Sequence, residues 1–136
     1  MMYLSPTPES TAALMGRGIT GPLTMLNLLR FRDQADYTNA PELAPSEPLS
    51  GEEAYGVYMD LTFPLLSQVG GTVLLTGTGG PLLIGPVETR WDRVLVVQYP
   101  DLEAFVQMIQ SPEYQAIAGH RSAALADSRL LPIEAD

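Results

Sequence analysis

The chain has 136 residues and a net charge of −9, from seven basic residues, all arginine, against sixteen acidic ones. That balance repels a phosphate backbone and excludes nucleic acid as a partner. With no cysteine and one histidine there is no disulfide framework and no thiolate or histidine-rich metal site, and no cofactor is expected.

The length is that of one ordinary domain, 1–136, in which 1–21 forms a helical extension and 22–134 the body. The opening "MMYLSPTPES" lacks a basic stretch followed by a long apolar run, and no later apolar run reaches the eighteen or so residues of a membrane helix. A soluble, cytoplasmic protein without a membrane partner is expected.

Thr7-Pro8-Glu9 has a capping hydroxyl followed by proline at the first helical position, which predicts a short helix ending near Gly16. "LTMLNLLRF" (23–31) is too short and too uniformly apolar for a surface helix and reads as a buried strand. The proline-rich, acidic stretch after it predicts a long loop over 33–49. Ser50 and Glu53 form a capping box for a long helix, with Ala54, Tyr58, Leu61, Leu65 and Val69 on one stripe and a bend expected near Asp60 because Pro64 removes a backbone donor. "TVLLTG", a "TGG" turn and "PLLIGP" predict a second strand and a hairpin arm, and "RVLVVQY" (93–99) a third strand. Asp101 and Ser111-Pro112 start two further helical segments, the second running to about Ala126, and "SRLLPIE" closes the chain as a strand.

Strand, helix, strand, strand, helix, strand is an α+β, ferredoxin-like βαββαβ order with an antiparallel sheet and an extra N-terminal helix. Val94 to Val97 are all apolar, so both faces of the third strand are apolar while helices cover only one. A second copy packed sheet against sheet would cover the other, making a homodimer the expected assembly.

"LNLLRFRDQADY", "SGEEAYGVYMDLTFPLL", "VGGTVLLTG", "LIGP" with "RWDRVLVVQYP", and "FVQMIQSPEYQAIAGHRSAALADSRL" together resemble domain-of-unknown-function family 1330, within the dimeric α/β-barrel superfamily, over residues 23–134. The resemblance implies a ferredoxin-like subunit whose sheet joins that of a second subunit in a barrel. It implies no particular reaction, since superfamily relatives range from cofactor-free monooxygenases, isomerases and haem enzymes to proteins without known chemistry.

At one hundred degrees per residue, Tyr114, Ile117, Ala118, Arg121 and Leu125 share the apolar stripe of the last helix. A guanidinium placed there must meet a carboxylate such as Asp127 or Asp92, several carbonyls, or a ligand anion. His120 lies on another stripe, with Glu113 and Asp127, and is the candidate proton carrier because imidazole titrates near neutrality; it is also the one obvious axial ligand for haem. Arg30 ends the first strand on the parity of Leu26 and Leu28. Asn27, on the opposite parity, needs a hydrogen-bond partner and is either a structural anchor or a pocket donor. Tyr58 on the core stripe and Trp91 before the third strand are candidate pocket walls. "GTGG" precedes a strand-like segment instead of a helix and is no phosphate cradle.

Two readings result. In one, a small, partly apolar, anionic metabolite binds between helices and sheet, held by Arg30 and Arg121 with Asn27, Tyr58 and Trp91 around it and His120 moving a proton without a cofactor. In the other, the dimer is a non-catalytic module and its arginines form structural ion pairs. The sequence leaves open whether the protein is an enzyme.

Overall fold

The computed structural model describes residues 2–136. Helix α1 (Pro8–Gly16) starts on the Thr7 cap, with Thr7 and Ser10 satisfying each other's backbone donors. Strand β1 (Leu23–Phe31) follows, then the 33–49 segment, and then helix α2 (Gly51–Gln68), capped by Ser50 with Glu53 and running as one helix through Pro64. Strands β2 (Thr72–Pro81) and β3 (Arg90–Tyr99) form a hairpin. Helices α3 (Leu102–Gln110) and α4 (Pro112–Ala124) meet at Ser111, whose side chain caps α4. Strand β4 (Leu125–Glu134) begins at the residue after α4 ends, with no loop between them.

The sheet is antiparallel with order β2-β3-β1-β4. Leu23, Met25, Leu29, Leu95, Val97 and Tyr99 point inward and join Tyr55, Tyr58, Leu66 and Met108 of the helices in one core. This alternation separates the two faces of β1 and β3 as the sequence requires. On the outer face, Leu75, Val96, Leu26 and Leu131 stand in register across all four strands. Leu75 and Leu131 are each 55% exposed there.

Three local expectations are corrected. The "TGG" segment is no turn: Gly77, Gly79 and Gly80 lie within β2, and the chain turns at 82–89. A side chain on Gly79 would strike the Trp91 carbonyl, so glycine serves close approach of the strands here. The buried stripe of α2 passes through Tyr55, Thr62 and Leu66, leaving Leu61 exposed. Helix α4 stops at Ala124, because the next residues pair with β1. The 33–49 segment is a long loop, closed on itself where Ala35 N donates to Leu49 O and pinned to the body where Asp36 N donates to Ala123 O.

Candidate functional site

Between the helices and the inner face of the sheet lies a cavity of about 730 Å³. Its walls are mostly apolar, supplied by Met25, Leu95 and Val97 of the sheet and Met59, Leu66 and Met108 of the helices. The segment N-terminal to β1 closes one side through Tyr3, Leu4, Pro6, Thr11 and Leu14. That is a size and polarity suited to a small organic molecule.

Polar groups enter this space from few directions. Arg121 reaches it from α4, where the stripe shared with Tyr114 and Ala118 faces the sheet. Its guanidinium donates to the Leu4 carbonyl at 2.6 Å and sits 3.5 Å from Ser128 Oγ. No carboxylate pairs with it among the described residues. The Tyr58 and Tyr114 hydroxyls hydrogen-bond each other at 2.7 Å. Tyr55 packs beside Tyr58, the ring centroids 5.3 Å apart.

Burial pushes the Tyr55 phenol up to about 12, against the pull of Arg121 and Arg93. It pushes Tyr58 well above the usual phenol value, and the neighbouring Tyr114 and Tyr55 act in the same direction. These phenols therefore stay neutral near pH 7 and can donate hydrogen bonds to a ligand. Thr62 Oγ1 is buried beside them without a partner. Asn27 lines the cavity while its amide donates to the Leu95 carbonyl of β3 at 3.2 Å.

The structure thus gathers Asn27, Tyr58 and Arg121 around one space and puts Arg30, Trp91 and His120 outside it. Arg30 pairs with Asp127 at 3.4 Å, and its guanidinium lies over the Trp91 ring, 5.8 Å from the centroid. Arg129 approaches the same ring, 5.2 Å from its centroid, and binds the other Asp127 oxygen at 2.8 Å. Asp127 also accepts from Tyr3 N and Ser128 N. Its burial raises the carboxyl pKa, but these hydrogen bonds and Arg129 outweigh that and hold it below the ordinary value of 3.8. Asp127 is thus engaged by Arg30 and Arg129, and Asp92 by Arg90 and Phe31 N, so neither carboxylate is Arg121's partner.

His120 faces away from the cavity. Its Nδ1 meets the Tyr37 hydroxyl at 2.7 Å and its ring stands edge-on to Tyr37, tying the 33–49 segment to α4. Gly119 permits this packing, since a side chain there would meet Ala40 and Leu43. Burial lowers the His120 pKa below 6.5. The unfolded chain therefore takes up this proton first, so stability present above about pH 6.5 declines as the pH falls toward the folded-state pKa. Thermal unfolding at stepped pH should show that decline, and His120→Gln should flatten it; an equal slope in the variant would assign the dependence to other groups.

Sequence reasoning missed the N-terminal wall, Ser128 and the bond between the Tyr114 and Tyr58 hydroxyls. The Ser128 signal was weak, a polar residue at the start of an apolar strand. Among the described residues no group of three or more His, Cys, Asp or Glu is placed to hold a metal ion, and no helix is long and apolar enough to cross a membrane.

The architecture is that of a ferredoxin-like α+β protein with a walled cavity on the helical side of its sheet. The chain belongs to the family described as domain of unknown function DUF1330, whose profile matches residues 48–135. A protein of unknown function from Rhodopseudomonas palustris is similar along the whole chain, with 35% identity, 100% of this chain and 98% of the other covered, and a TM-score of 0.88. Weaker likenesses concern the fold alone. A hydroxynitrile lyase from Passiflora edulis is 12% identical, with 85% and 94% covered and a TM-score of 0.52. An Arabidopsis thaliana protein is also 12% identical, with 84% and 95% covered and a TM-score of 0.52. Among curated proteins there is no match.

Proposed function

We propose that the protein binds a small, partly apolar, anionic metabolite in the cavity between helices and sheet, as a homodimer joined through the outer sheet face. The observation that supports this is Arg121, a permanently charged group on an apolar cavity wall with a carbonyl and a hydroxyl for partners and no carboxylate among the described residues. Tyr58, Tyr114 and Asn27 supply neutral polar contacts to the remainder of the ligand. Arg30 and Trp91 lie outside the cavity and His120 faces the 33–49 segment, so none of them enters this reading. The apolar row Leu75, Val96, Leu26 and Leu131 supports a second copy as the cover of the outer face.

The bond from Arg121 to the Leu4 carbonyl favours a second reading, in which this arginine only fastens the N-terminal segment and the module is not catalytic. A thermal-shift screen of aliphatic, aromatic and phenolic carboxylates on the wild type and Arg121→Leu separates the two. Under the first reading some acids stabilise the wild type, by about 2.7 kcal/mol at a hundredfold excess over Kd, and none stabilises the variant. The variant alone should lie within about 1 to 3 kcal/mol of the wild type, the cost of one carbonyl without its donor. Wild-type protein that ignores every acid would leave the structural reading standing.

A further inference from the structure

Residues 2–16 form one wall of the cavity, yet α1 buries none of its residues. Leu4 and Leu14 pack against the core; the remaining attachments are polar and concentrated at the segment's start. Tyr3 N donates to Asp127 at 2.8 Å, Ser128 Oγ donates to the Tyr3 carbonyl, and Arg121 donates to the Leu4 carbonyl at 2.6 Å. Arg129 lies over the Tyr3 ring, 4.7 Å from its centroid.

The other end is built differently. Arg17 donates to the Pro132 carbonyl at 2.8 Å, and Gly18 follows with φ +64, a conformation that favours glycine. Nothing lies within 4 Å of a side chain built on Gly16, Gly18 or Gly21. A pinned pivot beside unhindered glycines, with a polar latch at the far end, is the construction of a hinged cover.

We infer that residues 2–16 are the entry lid of the cavity, and that an incoming anion opens the latch by taking Arg121 from the Leu4 carbonyl. This rests on the ligand reading above. Within it, the Leu4 carbonyl occupies the place where the ligand's carboxylate or sulfonate oxygen would accept from the guanidinium, so lid contact and ligand contact compete for one group. An anion is the better acceptor of the two, because it adds an opposite full charge and can take two parallel bonds from the guanidinium, where the carbonyl takes one. The tyrosines and Asn27 are untouched by the exchange.

The test is stopped-flow binding of the fluorescent dye anilinonaphthalene sulfonate, an apolar aromatic anion, to full-length wild type, Tyr3→Ala, Ser128→Ala and Arg121→Leu. Wild type should show a binding phase that Arg121→Leu lacks. Tyr3→Ala removes the ring under Arg129, and Ser128→Ala removes the hydroxyl that donates to the Tyr3 carbonyl; each loosens the latch and should raise the association and dissociation rates of that phase together by about threefold to tenfold, the worth of one cation–π contact or one net hydrogen bond. Unchanged rates in both variants, or a rise in dissociation alone, would make the segment a fixed wall and overturn the lid. If Arg121→Leu binds the dye as wild type does, the anion reading itself fails, which is a separate result. Hydrogen exchange on the unmodified protein gives a second reading of the lid: the Tyr3 amide should exchange at least about a hundredfold faster than core amides of β1, as local opening requires, and equal protection would overturn it.

Discussion

Gly51→Ala is expected to destabilise the protein by about 3 kcal/mol or more, although it adds a single methyl group at the start of a helix. A Cβ on Gly51 would lie 2.6 Å from both the Ala124 carbonyl oxygen and the Arg32 nitrogen, and would strike the Arg32 carbonyl as well. These are backbone atoms in a chain of bonds: Gly51 N donates to Arg32 O, and Arg32 N to Ala124 O. No side-chain rotation relieves such a clash, so the start of α2, the end of β1 and the end of α4 must separate. Chemical denaturation should show the loss with the m-value unchanged; a midpoint within experimental error of wild type would show that this junction is pliant. Helix propensity alone argues for the opposite sign, since alanine favours a helix over glycine by about 1 kcal/mol.

The second large effect separates neighbours in sequence. Val97 is 6% exposed in the core, whereas Val96 lies on the outer face between Leu26 and Leu75. Val97→Asp places a carboxylate among apolar side chains and should cost at least about 4 kcal/mol, enough to leave most of the chain unfolded. Val96→Asp should instead leave the subunit's secondary structure intact and abolish the proposed dimer, giving a particle of about 14.7 kDa by light scattering. A wild type that is itself monomeric at micromolar concentration would remove the sheet-to-sheet assembly. Equal unfolding of both variants would show that the subunit does not stand without its partner.

The sequence made the framework readable wherever the determining interactions are local. Thr7, Ser50 with Glu53, Asp101 and Ser111 each bond to a backbone donor three residues on, and all four helix starts fall where these residues place them. β1 was legible for a similar reason, since its apolar run sits between breakers. The glycines of β2 misled because a glycine kept for close strand approach and one kept for a turn look alike in sequence; Trp91, a dozen residues away, decides between them. The candidate site was half legible. The stripe of α4 placed Arg121 inward and His120 on another face, but the partners of both are remote. Leu4 is 117 residues from Arg121, and Tyr37 is 83 from His120. No periodicity reports a contact at such separation, and the N-terminal wall was invisible for the same reason.

The direct passage from Ala124 to Leu125 couples the two faces of this protein like teeth on one gear. Helix α4 fixes the angular phase of Arg121, and the register shift at Ala126, between the Phe31–Leu125 and Arg30–Asp127 pairs, sets which alternate positions of β4 beyond it look inward and which outward. One residue added at that shift would turn the rest of β4 over, carrying Asp127 and Leu131 to the inner side and Ser128 to the outer. The Ser128 contact with Tyr3, the arginine pairs around Trp91 and the outer apolar row would be lost together. Length variation across the family is therefore expected at the 82–89 turn, whose Leu83, Ile84 and Val87 are more than 90% exposed, while the α4–β4 junction admits none.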